Sequence, residues 1–363
     1  MGKLINFCAG TNKDILPARR VEAILYNAVE NGLTESARKA TIELLRVAKT
    51  EHKFQDSGGY QIFTSQNKGR QVHHNPEKSL IYNDNDGINI TPKHVIDVAR
   101  QIQPTLMTSL DYPLRALSSK KEQEYEFVHR KGINIMWAKE TAELRERYCP
   151  DTRLFIPLQS YTVDQMEVFL DELSGVNYDG VALIARALDI NQLTLCLCSL
   201  YQRGIKQVHM LGTSEFFKMA LFAYMARNHF DWVSFDATTW RMSADHGAYK
   251  NHNDLYDENI WNVDIDEAIT NDCPCPWCAG KSFTAIKNLP QTDRISFLRC
   301  HNFWVIDQAA RDLFDSAASV SDLERTLKNR ARNRDKVDPL CNALTIFEML
   351  KDGDIKDLKA LLQ

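Results

Sequence analysis

One stretch of the sequence is Phe54-Gln55-Asp56-Ser57-Gly58-Gly59-Tyr60-Gln61. It begins as a predicted strand that stops at the carboxylate of Asp56, and after Ser57 it continues with two glycines. Neither glycine has a Cβ, so the backbone can turn sharply there and come close to a ligand. The structural alternative is a turn in which the Asp only caps the next segment. Other predicted strands of this sequence also end in a polar side chain.

Short β-rich runs alternate with longer amphipathic stretches from the N-terminus to residue 236. The predicted strands are residues 4–9, 53–56, 105–111, 133–137, 154–159, 181–185, 207–211 and 232–236. Strands that alternate with helices in this way favour an α/β fold, in which parallel units close into a (β/α)8 TIM barrel. An open doubly wound sheet is the alternative, but no Gly-x-Gly-x-x-Gly follows the first strand.

Four polar side chains stand at the ends of predicted strands: Asp56, Asp111, Gln159 and Asp236. In a barrel of this kind, the carboxyl ends of the strands form the face that carries the active site. One such residue is readily explained as a helix cap, but four in this position are not. We therefore expect these four side chains to belong to a site.

Composition and charge narrow the class of protein. The 363 residues are 44% hydrophobic and 25% charged, which is typical of a globular protein with a substantial core. A net charge of −4 gives no overall basic field, so a nucleic acid has to be bound by local patches. No apolar run approaches the length of a membrane span and no signal-peptide pattern is present, so we expect a cytoplasmic protein.

A cysteine cluster, Cys273-Pro-Cys275-Pro-Trp-Cys278, is followed by His301. Three thiolates and an imidazole form a tetrahedral set that Zn2+ fills as a structural ion. Cys300 is an alternative fourth ligand. Because four protein ligands leave no open coordination position, we assign the zinc no catalytic role.

The predicted domains are a barrel over residues 1–240, a zinc-binding subdomain over 241–305 that is inserted after the eighth strand, and C-terminal helices over 306–363 that pack on the barrel. Residues 66–86 are predicted to form a long polar loop, of the kind that often serves as a lid or binding loop.

The Asp-Ser-Gly-Gly-aromatic-Gln run, the strand-end residues and the Cys-x-Cys-x-x-Cys…His motif together resemble tRNA-guanine transglycosylases, over roughly residues 5–315. The resemblance implies substitution at the anomeric carbon of a guanosine in a polynucleotide. It places Asp236 as the nucleophile that forms a covalent glycosyl-enzyme, and Asp56 as the acid/base. It also favours His301 over Cys300 as the zinc ligand. This hypothesis requires Asp56 and Asp236 to act on one sugar.

The resemblance further implies a base pocket. In it, Asp111 binds the N1–H and amino edge of the purine, and Gln159 contacts the carbonyl and N7 side. Tyr60 stands at the position that stacks on the base, although a core position is the alternative. The remaining residues that the resemblance assigns to this pocket are Ser57, Gly58, Ala185 and Arg186.

Three stretches depart from the tRNA enzymes. Those enzymes have a Gly-Gly-Leu-Ala-Val-Gly loop after the sixth strand whose backbone reads the substituent at purine position 7, whereas residues 184–189 here are Ile-Ala-Arg-Ala-Leu-Asp. Ser160-Tyr161 replaces a Gly-Gly pair, and residues 237–241 replace a Pro-Thr-Arg tract. The departures resemble DNA-guanine transglycosylases, which insert 7-deazaguanines such as preQ0 into DNA.

The sequence is therefore interpreted as a DNA-modifying transglycosylase, with DNA and a 7-deazaguanine base as its partners. A tRNA-guanine transglycosylase is the alternative, and a non-catalytic partner subunit is a third hypothesis. A homodimer is a candidate assembly. The residues considered for contact with nucleic acid are Trp240, Tyr249, Lys68, Arg70, Arg241, Lys250 and the basic run 325–336, for which a solvated helix face is the alternative.

Overall fold

The computed structural model describes residues 2–10, 21–60, 72–75, 80–83, 88–261, 273–279 and 281–362, with residues 72–75, 80–83 and 88–89 in their backbone only. Two nucleic-acid candidates, Lys68 and Arg70, lie outside these ranges.

Eight parallel strands close a barrel, which confirms the predicted fold class. The barrel strands are β1 (Lys3–Cys8), β2 (Ala23–Asn27), β3 (His52–Asp56), β7 (Leu106–Thr108), β8 (Arg153–Leu158), β9 (Gly180–Leu183), β10 (Gln207–Met210) and β11 (Trp232–Ala237). Their order around the barrel is β1–β11–β10–β9–β8–β7–β3–β2. The rings of Phe54, Phe155 and His209 pack together, with Phe54 edge-on to His209 at 4.5 Å.

Among the described residues, the strands outside the barrel form two small antiparallel sheets. One comprises β4 (Val72–Asn75), β5 (Leu80–Asn83) and β6 (Ile88–Ile90), so part of the predicted loop 66–86 is a sheet. The other comprises β12 (Ala248–Lys250) and β13 (Asp257–Asn259).

The helices are α1 (Glu35–Ala48), α2 (Pro92–Ile102), α3 (Lys120–Tyr148), α4 (Val163–Glu172), α5 (Ile190–Gln202), α6 (Phe216–Asn228), α7 (Thr239–Asp245), α8 (Phe283–Lys287), α9 (Gln291–Ser316), α10 (Val320–Arg330), α11 (Val337–Leu350) and α12 (Ile355–Leu362). Several begin after a residue whose side chain accepts a hydrogen bond from a first-turn backbone N–H, as in the N-caps Thr34, Thr91, Ser119, Thr162 and Asp189. Sequence and local structure agree at these helix starts.

One predicted strand is wrong and one barrel strand was missed. Residues 133–137 lie inside α3, and the missing barrel strand is β2. The run Ile-Asn-Ile-Met-Trp has high β propensity, but the buried side chains of α3 recur every three to four residues from Glu126 to Arg145. Packing along this helical face overrides the local preference.

By its internal packing the chain divides into two compact units, Val21–Leu211 and Met1–Arg20 with Gly212–Gln363. The first contains β2, β3 and β7–β10. In the second, α9 packs against β1, α6 and α7, and runs across residue 305, where the sequence had placed a domain boundary. Within the described part of the chain, none of the helices combines the length and the apolar character that crossing a bilayer requires.

Candidate active site and metal centre

The turn after β3 depends on two glycines. Gly58 has a φ of +85°, and an added Cβ would lie 2.3 Å from Cγ2 of Val29. A Cβ at Gly59 would lie 2.7 Å from Oδ1 of Asp111. A residue with a side chain would therefore push the turn away from Asp111, because Cβ contacts of this length are not tolerated.

Three of the predicted base-binding residues meet in one buried group, the Asp111 cluster, which consists of Ser57, Asp111 and Gln159. The Ser57 hydroxyl donates to Oδ1 of Asp111 at 2.6 Å, and Nε2 of Gln159 donates to Oδ2 at 2.6 Å. Asp111 is 7% exposed. The neighbouring strands β3, β7 and β8 bring the three residues together at their carboxyl ends.

The Asp111 carboxylate is under two opposing influences. Burial raises its pKa, and the hydrogen bonds from Ser57 and Gln159 act in the opposite direction, leaving the pKa above its ordinary value. An ionised carboxylate accepts up to about four hydrogen bonds. Asp111 can therefore accept further N–H groups from a ligand, as the predicted contact with the purine edge requires.

A polar face of α3, which sequence reasoning missed, holds the loop that carries Asp111. Glu126, Arg130 and Asn134 follow one another at four-residue spacing and are buried. The Asn134 side chain accepts from the backbone N–H of Tyr112 at 2.6 Å and donates to the carbonyl of the same residue at 3.1 Å. Asn134 thus satisfies both backbone groups of the residue next to Asp111.

The other two residues of this face reinforce the same loop. Glu126 accepts from the backbone N–H of Arg115 at 2.9 Å and pairs with Arg130 at 3.0 Å. The guanidinium of Arg130 lies 3.9 Å from the ring centre of Tyr112 and donates to the carbonyl of Pro113. Burial raises the pKa of Glu126, but its hydrogen bonds and its arginine partners lower it by more, so the net pKa lies below the ordinary value. The four-residue spacing of polar residues was the sequence signal for this face.

Tyr60 and Arg186 contact each other. Nη1 of Arg186 donates to the Tyr60 hydroxyl at 3.0 Å, and Cζ of Arg186 lies 4.5 Å from the ring centre. Tyr60 is 41% exposed, so it is not a core residue. Stacking of Tyr60 on a base stays a prediction.

The two predicted catalytic carboxylates are each oriented by a backbone N–H. Asp56, the last residue of β3, accepts from Gly58 N–H at 3.2 Å. Asp236, in β11, is 8% exposed and accepts from Gly212 N–H at 3.0 Å. Their action on one sugar stays a prediction.

Cys273, Cys275, Cys278 and His301 form a buried group whose ligand atoms all lie within 4.8 Å of one another. The distances from His301 Nδ1 to the three sulfurs are 3.8, 3.2 and 3.3 Å. A tetrahedral zinc ion with ordinary bond lengths holds sulfur and nitrogen about 3.5 Å apart. These residues therefore fit Zn2+, and Cys300 does not belong to the group.

The surroundings of His301 also suit a metal ligand. Its Nε2 donates to the backbone carbonyl of Lys250 at 2.8 Å, which directs Nδ1 towards the sulfurs. The Tyr249 ring stacks on the imidazole with centres 3.7 Å apart, and its hydroxyl lies 3.3 Å from Sγ of Cys278. A carbonyl acceptor and an aromatic face fix the orientation of the imidazole.

Comparison with known proteins identifies the family. A family model described as Queuine tRNA-ribosyltransferase matches residues 11–319. The chain belongs to this family. A tRNA-guanine(15) transglycosylase of Thermococcus kodakarensis is 22% identical over 259 residues, which cover 69% of this chain and 41% of the relative. The enzyme of the same name from Pyrococcus abyssi is 22% identical over 258 residues, covering 69% and 40%. The chain thus spans less than half the length of these relatives.

Within this member of the queuine tRNA-ribosyltransferase family, three of the predicted nucleic-acid contacts are not at the surface. Trp240 is 1% exposed and packs edge-on against Phe303, and Tyr249 is fully buried against His301. Lys250 is 6% exposed, and its ammonium pairs with Asp257 at 2.8 Å. The prediction for these three residues is wrong, because they belong to the packing around the metal centre.

The remaining basic candidates differ in their partners. Arg241 is partly exposed, and its Nε lies 3.7 Å from Asp245, so its contact with nucleic acid stays a prediction. Five of the six cations of the basic run, those at residues 325, 328, 330, 332 and 336, have an acidic partner within 4 Å, and for Arg334 contact with nucleic acid stays a prediction. This pairing favours the alternative of a solvated, internally neutralised face.

Proposed function

We propose that this protein is a guanine transglycosylase, which exchanges a guanine in a polynucleotide for a 7-deazaguanine base. The observation that carries the proposal is the Asp111 cluster in a chain of this family. Guanine and 7-deazaguanine both present N–H donors at N1 and the 2-amino group, with a carbonyl acceptor beside them. Asp111 supplies acceptors for the donors, and Nε2 of Gln159 carries a second N–H for the carbonyl.

The reaction takes place in two displacements. In the first, the Asp236 carboxylate bonds to C1′ as the bond from C1′ to N9 of guanine breaks, and Asp56 gives a proton to the departing base. In the second, Asp56 takes the proton from the incoming base, whose nitrogen bonds to C1′ and displaces Asp236. The family resemblance and the fixed orientation of each carboxylate by a backbone N–H support these roles.

Zinc has a structural role in this proposal. Cys273, Cys275, Cys278 and His301 would hold the ion, which supplies a cross-link between the segment of the cysteines and α9.

The comparisons favour tRNA as the polynucleotide, because the family description and both relatives are named for tRNA. A second candidate is DNA, favoured by the specific departures at residues 184–189, at Ser160-Tyr161 and at residues 237–241. These stretches are where the family resemblance places contacts with the polynucleotide and with purine position 7.

The test is exchange of labelled guanine into tRNA, single-stranded DNA and duplex DNA under one set of conditions. Incorporation into any of them supports the transglycosylase, and the polynucleotide that is labelled decides between tRNA and DNA. Absence of label in all three, with folded zinc-loaded protein, would overturn the proposal.

Two variants test the carboxylate roles. Asp236→Asn should abolish formation of a covalent adduct with a guanosine oligonucleotide, and Asp56→Ala should prevent release of guanine. Asp151→Asn, at an exposed turn, is the matched control and should behave as the wild type. Full activity of Asp236→Asn would show that Asp236 is not the nucleophile, whereas the hypothesis of a non-catalytic partner subunit predicts that the wild type itself forms no adduct.

A further inference from the structure

We infer that Arg186 selects the incoming base by the charge of the substituent at position 7, admitting neutral or anionic acceptor groups and rejecting an ammonium. This inference rests on the proposed function, because it takes the orientation of the base from Asp111 and Gln159. Arg186 lies in residues 184–189, where the tRNA enzymes have the Gly-Gly-Leu-Ala-Val-Gly loop that reads position 7 through its backbone.

The order of strands matches the order of groups around a purine. The neighbouring strands β3, β7, β8 and β9 are followed by Ser57, Asp111, Gln159 and Ala185–Arg186 respectively. Around guanine, the 2-amino group and N1 are followed by the carbonyl oxygen and then by position 7. With the amino edge on Asp111 and the carbonyl on Gln159, the segment after β9 is next to position 7.

The backbone of that segment is held at both ends. Residues Ala185–Ala187 form a 3-10 turn, which begins with a fully buried Ala185. Asp189 then caps α5 by a reciprocal pair of hydrogen bonds with Gln192. Since Arg186 lies between two anchored residues and is itself exposed, its side chain and not its backbone is the adaptable part.

The side chain of Arg186 extends over the ends of the intervening strands. It reaches Tyr60, which follows β3, so the contact crosses the two strands, β7 and β8, that lead to Asp111 and Gln159. Tyr60 directly follows Gly59, whose backbone closely approaches Asp111, so the contact places the positively charged guanidinium on the same side of the barrel as the Asp111 cluster. A guanidinium donates several hydrogen bonds at once, so it can hold Tyr60 and meet a ligand together.

Charge then determines which base is accepted. A nitrile or carboxylate at position 7 accepts a hydrogen bond from the guanidinium, and a carboxylate also gains charge attraction. An aminomethyl group is a protonated amine at neutral pH and is repelled at close range. The acceptance of a nitrile or carboxylate and the rejection of an aminomethyl group both leave the contacts of the base with the Asp111 cluster unchanged.

The experiment measures incorporation of 7-cyano-, 7-carboxy- and 7-aminomethyl-7-deazaguanine, each relative to guanine itself. Wild-type protein should prefer the cyano and carboxy bases over the aminomethyl base by about tenfold or more in kcat/KM. Arg186→Lys should keep this preference, Arg186→Gln should reduce it, and Arg186→Glu should reverse it in favour of the aminomethyl base. Calorimetric binding of the free bases gives a readout that does not need exchange.

Arg147→Glu is the matched control, since Arg147 is exposed near the end of α3, on the segment that leads into the start of β8. It should leave the preference among the bases as in the wild type. The melting curve of Arg186→Glu shows whether the variant is folded. If the folded variant exchanges guanine and keeps the wild-type preference among the 7-substituted bases, the inference is overturned but the proposed function is not. Loss of exchange for every base in the wild type would overturn the proposed function.

Discussion

Ser57 donates a hydrogen bond of 2.6 Å to Asp111, and thereby joins the turn after β3 to the loop after β7. The Ser57 oxygen in turn accepts from Gly59 N–H at 3.0 Å. The backbone turn therefore orients the hydroxyl, and the hydroxyl orients the carboxylate. This chain of contacts explains why Ser and two glycines follow Asp56, since each has a separate geometric task.

Ser57→Ala should move the acidic limb of activity to higher pH. The Ser57 hydrogen bond lowers the pKa of Asp111 against the effect of burial, so its removal raises that pKa further. Asp111 has to be ionised to accept both purine N–H groups, so binding of the base fails at a higher pH than in the wild type. The pH profile of kcat/KM for base exchange measures the shift. An unchanged profile would show that Asp111 does not bind the base as an ionised carboxylate.

Asn134→Ala should weaken base binding, although the contacts of Asn134 are with the backbone of Tyr112 and not with the base. The backbone N–H and C=O of Tyr112 each lose their hydrogen bond with Asn134, and a hydrogen bond of this kind contributes about 0.5–1.5 kcal/mol. The loop that carries Asp111 then loses its fixed position, and the KM for the base should rise more than kcat falls. Lys139→Ala, on the exposed side of the same helix, is the control and should change neither value. Equal changes of KM and kcat in the two variants would show that Asn134 does not position the loop that carries Asp111.

The barrel and the Asp111 cluster were predictable because they follow from short-range patterns. A strand that ends in Asp-Ser-Gly-Gly fixes both the end of β3 and the close approach of the turn to Asp111. The Cys-x-Cys-x-x-Cys spacing with His301 likewise reflects the geometry that a tetrahedral ion imposes.

What could not be predicted depends on tertiary packing. Residues 133–137 have a strand-like composition, yet they lie on the buried face of α3 with Asn134 directed at Tyr112. Trp240 and Lys250 have the residue types of a nucleic-acid contact, and only the fold shows that both are buried. Residue type and local pattern do not determine burial.

Loss of a zinc ligand should remove the ion and destabilise the second compact unit. Cys275→Ser should bind less than one equivalent of zinc and melt at a lower temperature, because the ligands are held together by the ion. Cys300→Ala, a neighbour of His301 outside the ligand group, should retain the zinc. Elemental analysis with melting curves, before and after chelation, measures both. A chelated protein that keeps its melting temperature would show that the centre does not stabilise the fold.

Glu348→Gln should lower stability at neutral pH and lose its effect in acid. Glu348, in α11, accepts from Tyr224 at 2.8 Å and lies 2.5 Å from both His229 and Lys351. Burial raises its pKa, but the hydrogen bonds from Lys351 and Tyr224 lower it more, so the net pKa lies below the ordinary value.

The sign of the pH dependence follows from this lowering. The ionised carboxylate is favoured in the folded state, so its stabilisation is complete above the ordinary glutamate pKa of about 4.3 and is lost as the pH falls through the lower folded value. The variant should be less stable by about 1–2 kcal/mol at pH 7, with the two proteins converging in acid. Denaturant unfolding at several pH values measures the difference.

Glu43→Gln is the control. The carboxyl of Glu43 also has a lowered pKa, through Arg46, but it is fully exposed, so its loss should have no measurable effect on stability. A difference that persists unchanged below pH 3 would mean that Glu348 acts by packing and not by its charge.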